Sequence, residues 1–368
     1  MPRTSPRTLV FGPAYLDRVL RVDIPLVDPS RGEPPLDGSV DGAWAEPGDG
    51  LTLRDPAGGQ ITVELPADWP GPTGTIALGR PLSSVQGDWT REVIGRSWGD
   101  DLGGMGAGYA SALGGTLIHA LGPEADPVGR SIEGLLASSG ITHRPIRVAG
   151  HGADWTLLIS GGATGDKLPI GFRGCHAAVD SLGSWKDEPC EVRVAAALPN
   201  RLIAEALAGP AEVRVFAPSL RNMLDRDPPV LAFADHVDLL ACNRAEWESL
   251  DDREQVAWRI PVLVVTDGAD GATVRFTTPE GEAGRVRVPT FPRDRPPRDT
   301  NRAGEAFAST FLLHLRDHGW TPGVAEIDLM REATARASAA SALVIDREGF
   351  GFPSGDEIDA ALRAGRVD

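Results

Sequence analysis

The feature that most constrains the fold is an alternation, from about residue 103 onward, of short apolar runs with segments of helical periodicity. These patterns predict strands at 155–160, 191–198, 212–216, 237–241 and 261–266, and helices at 200–208, 244–250, 302–316 and 327–342. Strands that are apolar throughout are typical of a mainly parallel sheet covered by helices on both faces. The sequence therefore predicts an α/β domain, whose ligands are expected beyond the carboxyl ends of the strands.

The segment 24–100 has a different character, because it is dense in glycine, proline and aspartate and lacks helical periodicity. Within it, LTLRDPAGGQITVEL (51–65) has two alternating runs around a Pro-Ala-Gly-Gly turn, which predicts a β-hairpin. We interpret this segment as a β-rich subdomain or lid. A disordered insertion is the alternative, and the regular alternation disfavours it.

Composition narrows the class of protein. The chain has 368 residues, enough for one large domain with an appendage. Its net charge of −16 disfavours nucleic-acid binding, which depends on lysine and arginine neutralising phosphates. No run approaches the ~20 apolar residues that cross a bilayer, so no membrane partner is expected. The apolar run near the N-terminus is too short for a signal peptide, and three cysteines without metal-ligand spacing suggest a reducing cytoplasm.

The stretch DTNRAGEAF (299–307) is typical of a loop that becomes a helix around an anion. The first N–H groups of a helix are unpaired, and small residues such as Ala303 and Gly304 let an anion approach them. Glu305 would project from the first turn and could accept a proton from an attacking hydroxyl. Arg302 would add a cation able to clamp a moving phosphoryl group. The alternative is an ordinary helix start, capped by Thr300 or Asn301.

Several motifs, in order, resemble those of the ribokinase, or PfkB, family of sugar and nucleoside kinases. The resembling stretches are GPAYLD with Asp17, GGMGAGYASALGG with Gly103 and Gly104, the Gly122, Asp126 and Gly129 pattern, NRAE with Asn243 and Glu246, VVTDGADGA with Thr266 and Gly268, and DTNRAGE at 299–305. Each motif is weak alone. Their common order along most of the chain makes the resemblance specific.

The resemblance implies a three-layer α/β/α core formed by 1–23 and 101–368, and a β-rich lid formed by 24–100 with a part from 151–175. It implies ATP bound through Asn243, Glu246, Thr266, Gly268 and Thr300, and Mg²⁺ held by Glu246 through water. It also implies a sugar or nucleoside substrate near Asp17, Gly103, Gly104 and Gly108. A K⁺ site near Asp299 and a homodimer formed through the lid are further expectations.

The chain departs from the family pattern at the positions that carry chemistry. Glu305 stands where the family has its catalytic aspartate, and Arg302 stands where it has a glycine. Gly108 replaces an asparagine that reads substrate hydroxyls. Lys167 and Arg173 could face an acidic substrate group, or they could be solvated loop charges. Two hypotheses follow: a kinase with a retuned site, or a kinase-fold protein that binds a ligand without transferring phosphate.

Overall fold

The computed structural model describes residues 7–23, 40–82, 89–161, 166–294, 300–347 and 349–367. Within these ranges the chain forms a central β-sheet, surrounding helices and a separate β-barrel. No helix in the described ranges is long and apolar enough to span a bilayer.

The central sheet is mainly parallel. Its strands are β1 (Thr8–Phe11), β8 (Thr116–Leu121), β9 (His143–Arg147), β12 (Cys190–Ala196), β13 (Ala211–Ala217), β14 (Leu239–Asn243), β15 (Val262–Thr266), β16 (Ala272–Thr277) and β17 (Ala283–Val288). Their spatial order is β17-β16-β15-β14-β13-β12-β1-β8-β9, and only the pairs that involve β16 are antiparallel. Strands such as β1 are buried along their whole length, as expected for a sheet covered on both faces.

Helices cover this sheet and complete the predicted three layers. They are α1 (Met105–Leu113), α2 (Pro127–Ser138), α3 (Cys175–Ala178), α4 (Asn200–Leu207), α5 (Leu220–Leu224), α6 (Arg244–Glu248), α7 (Arg253–Arg259), α8 (Ala303–Asp317), α9 (Ile327–Val344) and α10 (Gly355–Ala364). Helix α8 packs between α1 and α9, whereas α4 packs on β12 and β13. The expected three-layer α/β/α fold with a β-rich lid is confirmed.

The lid is a closed barrel. Its strands are β2 (Tyr15–Val22), β3 (Val40–Glu46), β4 (Leu51–Arg54), β5 (Gln60–Glu64), β6 (Gly74–Leu78), β7 (Thr90–Gly103), β10 (Trp155–Gly161) and β11 (Asp166–Phe172). Aliphatic side chains fill it and form a hydrophobic cluster of their own, among them Leu20, Leu53, Ile76 and Ile159. The hairpin predicted at 51–65 is confirmed as β4 paired with β5. The division of the chain into core and lid at residue 100 stays a prediction.

Strand β10 belongs to the barrel, where it pairs antiparallel with β11 and parallel with β2. Its run 155–160 is one of the apolar runs that predicted the mainly parallel sheet, and it also lies in the segment 151–175 that the resemblance places partly in the lid. Its residues 156–159 are all buried, because Leu157 and Ile159 point into the barrel cluster while Thr156 and Leu158 face the other way. A strand buried on both faces has the same continuous apolar pattern in the mainly parallel sheet and in the barrel.

Candidate active site

Helix α8 begins at the predicted anion-binding loop. The N-cap residue is Arg302, so the alternative with Thr300 or Asn301 as cap is wrong, and Arg302 forms no side-chain capping hydrogen bond within the described part of the chain. Arg302 adopts φ 68 and ψ 0, the left-handed conformation that glycine adopts without strain. Ala303 and Gly304 follow as the first helical residues, and Gly304 is exposed. The geometry leaves the small residues of the first turn open to a ligand.

Glu305 lies in the first turn of α8 and faces α1. A β-carbon built on Gly108 would lie 3.1 Å from Cγ and 3.5 Å from both Cβ and Oε1 of Glu305, so the two residues are in direct apposition. Burial raises the pKa of the Glu305 carboxyl above its usual range, while its own backbone N–H and the Arg302 guanidinium lower it. A carboxylate with a raised pKa is a stronger base, which suits proton abstraction.

The Asn-x-x-Glu motif lies where β14 meets α6. The Asn243 amide oxygen accepts the N–H of Glu246 at 2.8 Å, and the Glu246 Oε2 accepts the N–H of Asn243 at 2.9 Å. This reciprocal pair is a capping box, which fixes the glutamate at the helix start. Burial raises the pKa of Glu246 to about 7, and the nearby charge of Glu305 adds to the rise. The influence of Glu305 on the pKa of Glu246 shows that the two carboxylates are near enough to interact electrostatically.

Thr266 and Gly268 lie at the end of the neighbouring strand. The Thr266 hydroxyl donates to the carbonyl of Cys242 at 3.4 Å, which links β15 to β14 beside Asn243. Gly268 has φ 51 and its carbonyl accepts the hydroxyl of Thr290 at 2.7 Å. These residues therefore lie at the carboxyl ends of adjacent strands, close to the capping box. Thr300 is exposed before α8, and Asp299 lies outside the described residues.

Asp17 lies on β2 where the barrel meets the core. A β-carbon on Gly103 would lie 2.1 Å from Asp17 Oδ2, so the missing side chain of Gly103 leaves room for this carboxylate. The strand register places Thr156 on one side of Asp17 and Asp101 on the other. Burial raises the pKa of Asp17 to about 6, a hydrogen bond from Thr156 lowers it, and the charge of Asp101 raises it further. Gly104, with φ 94, then turns the chain into α1.

Arg302 connects the anion-binding loop to the lid. Its Nη1 lies 3.5 Å from Asp101 Oδ2, its guanidinium carbon lies 5.8 Å from the centroid of the Phe350 ring, and its side chain is only 11% exposed. The arginine therefore joins the site and does not point to solvent. No motif in the sequence predicted a role for Asp101. The acidic pair just before Gly103 was a visible signal, but its partner lies 201 residues away.

Arg173 lies on the same side of the candidate site as Asp17. Its guanidinium carbon is 4.4 Å from the centroid of the Tyr15 ring, and its charge lowers the pKa of Asp17. Its Nη1 is buried and has no hydrogen-bond partner in the described residues. The interpretation of Arg173 as a solvated loop charge is therefore wrong. Lys167 lies in β11, opposite Ser160, and its side chain is outside the described part of the structure.

A second cluster of reactive groups is structural. Asp154, Cys175 and His176 are buried together, with Asp154 Oδ1 3.5 Å from both Cys175 Sγ and His176 Nδ1. The same oxygen also accepts the N–H of Gly174 at 2.9 Å, and His176 Nε2 accepts the N–H of Ala120 at 3.4 Å. The latter bond assigns the imidazole proton to Nδ1, facing Asp154, so that nitrogen is not free to bind a metal.

The geometry defines an α/β protein in which the start of α8, with Glu305, interacts electrostatically with Glu246 at the start of α6 and, through Arg302, with Asp101 and Asp17 at the base of the barrel. Residues 94–356 match the pfkB family carbohydrate kinase, so the chain belongs to the pfkB family of carbohydrate kinases. No curated protein matched the sequence.

Solved structures show the same fold. The nucleoside kinase of Methanocaldococcus jannaschii, an archaeal member of the ribokinase family, is 14% identical with a TM-score of 0.62, covering 97% of this chain and 98% of that chain. A nucleoside kinase of Burkholderia thailandensis in complex with inosine is 14% identical with a TM-score of 0.61 and coverages of 97% and 98%. The Arabidopsis thaliana ribokinase complexed with ribose and ATP is 14% identical, with a TM-score of 0.58 and coverages of 99% and 100%.

Proposed function

We propose that this protein is an ATP-dependent kinase that phosphorylates a hydroxyl of a sugar, a nucleoside or a related polyol. The observation that carries the proposal is the position of Glu305, a part-buried carboxylate with a raised pKa in the first turn of the helix that follows the anion-binding loop. Family membership and the resemblance to kinases seen with ribose, inosine and ATP support it.

The residues divide the chemistry between them. Asp17 accepts a hydrogen bond from an acceptor hydroxyl and orients it. Glu305 takes the proton of the attacking hydroxyl. The N–H groups of Ala303 and Gly304 stabilise the negative charge of the transferring phosphoryl group, with the positive field of Arg302 close by.

Glu246, oriented by Asn243, fits a magnesium ion held through water, because its raised pKa marks a carboxylate that a nearby cation would stabilise in the ionised form. Mg²⁺ would neutralise phosphate charge there. Thr266, Gly268 and Thr300 would line the nucleotide side. The K⁺ site at Asp299 and a location in the cytoplasm stay predictions.

The second candidate is a ligand-binding protein that no longer transfers phosphate. The observation that favours it is the direction of the Arg302 side chain, which reaches Asp101 on β7. In that arrangement the arginine can tie the lid to the anion-binding loop without acting on a phosphate.

Replacing Glu305 by glutamine separates the two candidates. We expect Glu305→Gln to lower turnover by at least about 100-fold, because loss of a general base typically removes 10²–10⁴-fold. Mg·ATP affinity, measured by titration calorimetry, should stay within about threefold. The assay is ADP release over a panel of sugars, nucleosides and polyols, with Glu280→Gln, in an exposed turn, as the control. Full activity in Glu305→Gln would refute its role, and Mg·ATP binding without turnover on any acceptor would favour the second candidate.

A further inference from the structure

The position of Gly108 under Glu305 explains two departures from the family pattern together. The three heavy atoms nearest to a β-carbon built at residue 108 are Cγ, Cβ and Oε1 of Glu305, at 3.1, 3.5 and 3.5 Å. Contacts as short as 3.1 Å require the neighbour to move by a few tenths of an ångström. The space above Gly108 is therefore occupied by the glutamate side chain itself.

The other glycines of this region have different neighbours. A β-carbon on Gly106 would meet the backbone of Gly12 at 2.4 Å, so Gly106 allows two main-chain segments to pack closely. One on Gly103 would meet Asp17. Among these, Gly108 alone faces a side chain of α8. Its role is therefore local to the carboxylate and is not general packing between α1 and α8.

We infer that Gly108 is a positioning residue that makes room for the longer carboxylate of Glu305, so that a glutamate and a missing side chain together replace the aspartate and asparagine expected here. The inference rests on the proposed kinase function for its catalytic part. Glutamate carries its carboxyl one methylene further from the backbone than aspartate does. Because Gly108 has no side chain, the side chain of Glu305 can fold back toward α1, and its Oε1 lies only 3.5 Å from a β-carbon built at Gly108.

Stability measurements test the apposition without using activity. The effect of Gly108→Ala on Tm should be less favourable by about 1–2 °C in the wild-type background than in the Glu305→Ala background, because the added methyl lies 3.1 Å from Glu305 Cγ and displaces it. In the Glu305→Ala background, where Cγ and Oε1 are gone, the same change should raise Tm, since alanine is the better helix former. Gly134→Ala is the matched control, because Gly134 lies in α2 with open space around it, and it should raise Tm in both backgrounds.

Kinetics test the catalytic part. On the best acceptor found in the panel, Gly108→Ala should lower kcat by about tenfold, since displacing a catalytic group by about 1 Å can remove 100-fold. KM for Mg·ATP should be unchanged. Gly108→Asn alone should be less active still, and Gly108→Asn combined with Glu305→Asp should be at least tenfold more active than Gly108→Asn, because the shorter carboxylate restores the space.

Each outcome decides a separate point. If Gly108→Ala raises Tm equally with and without Glu305, the inference is overturned. If the stability coupling is present but kcat is unaffected, or the double variant is no better than Gly108→Asn, Gly108 does not position the base and the inference is again overturned. If the coupling is present and the wild-type protein turns over no acceptor, the apposition stands and the proposed kinase function is what fails.

Discussion

Replacing Asp17 by asparagine should stabilise the ligand-free protein and lower its affinity for the acceptor substrate. Burial raises the pKa of Asp17 from 3.8 to about 6. Because the folded pKa lies above the unfolded value, the folded state binds the proton more tightly. Ionising this carboxyl therefore costs stability as the pH rises from about 4 to about 6, and the full penalty is present above that range. Asparagine removes the charge and with it the penalty.

The size of the effect follows from the shift. About two pKa units correspond to an upper limit of about 3 kcal/mol in the free energy of unfolding. Asp17 is only part-buried, so solvent screening reduces this, and we expect about 1.5 kcal/mol, or roughly 2 °C in Tm for a chain of this length, at pH 8. The gain should shrink as the pH falls from about 6 toward 4.

The assay is thermal unfolding between pH 5 and 8 at constant ionic strength, with Asp180→Asn at an exposed position as the control. Calorimetry with the best acceptor should show at least about tenfold weaker binding, since a hydrogen bond to a charged group contributes about 1.5–3 kcal/mol. Mg·ATP binding should be unchanged. A variant that is less stable than the wild type at pH 8, or whose gain does not depend on pH, would refute the reasoning.

Three further predictions follow from the same geometry. Arg302→Gly relieves the strain of the left-handed backbone but loses the ion pair with Asp101, and these two contributions to the free energy of unfolding are about 1 kcal/mol each and of opposite sign. Tm should therefore stay within about 2 °C, while turnover should fall about tenfold or more. Unchanged turnover would contradict a role of Arg302 in phosphoryl transfer. Because the pKa of Glu246 is about 7 and Mg²⁺ prefers the ionised carboxylate, Mg·ATP affinity should increase from pH 6 to 8 in the wild type. Glu246→Gln should lose that increase in calorimetry, and an identical pH profile would exclude Glu246 as a magnesium-site residue. The homodimer through the lid stays a prediction. Because the described barrel is closed and offers no free strand edge, such a dimer would pair through side-chain surfaces, and a protein that sediments as a monomer at micromolar concentration would contradict it.

Most of the fold could be predicted from local patterns in the sequence. The alternation of apolar strands and helices predicted the central sheet, and small residues before an apolar helix predicted the start of α8 within one residue. The capping box of Asn243 and Glu246 was also readable, since an asparagine followed three residues later by a glutamate is its usual signature.

The remaining features of the site depend on contacts between residues distant in the chain, and these contacts have no local sequence pattern. The parallel pairing of β2 with β10, which places Thr156 beside Asp17, joins residues 139 apart in the chain. The apposition of Gly108 and Glu305 depends on how α1 crosses α8. The 3.5 Å contact of Asp101 with Arg302 depends on the register of β7 against β2. Such geometry is set by packing between elements, and periodicity within one element does not encode it.

The length of β7 has a mechanical consequence. Its 14 residues run from the barrel at Thr90 to the core at Gly103, about 45 Å of contour at roughly 3.3 Å per residue. Asp101 lies two residues from Gly103, so a tilt of about 5° about the Gly103 end would move the far end by about 4 Å and Asp101 by only tenths of an ångström. A tilt of the barrel about the Gly103 end of this strand would therefore displace the far end of the barrel by several ångströms and leave the carboxylates of Asp101 and Asp17 nearly in place.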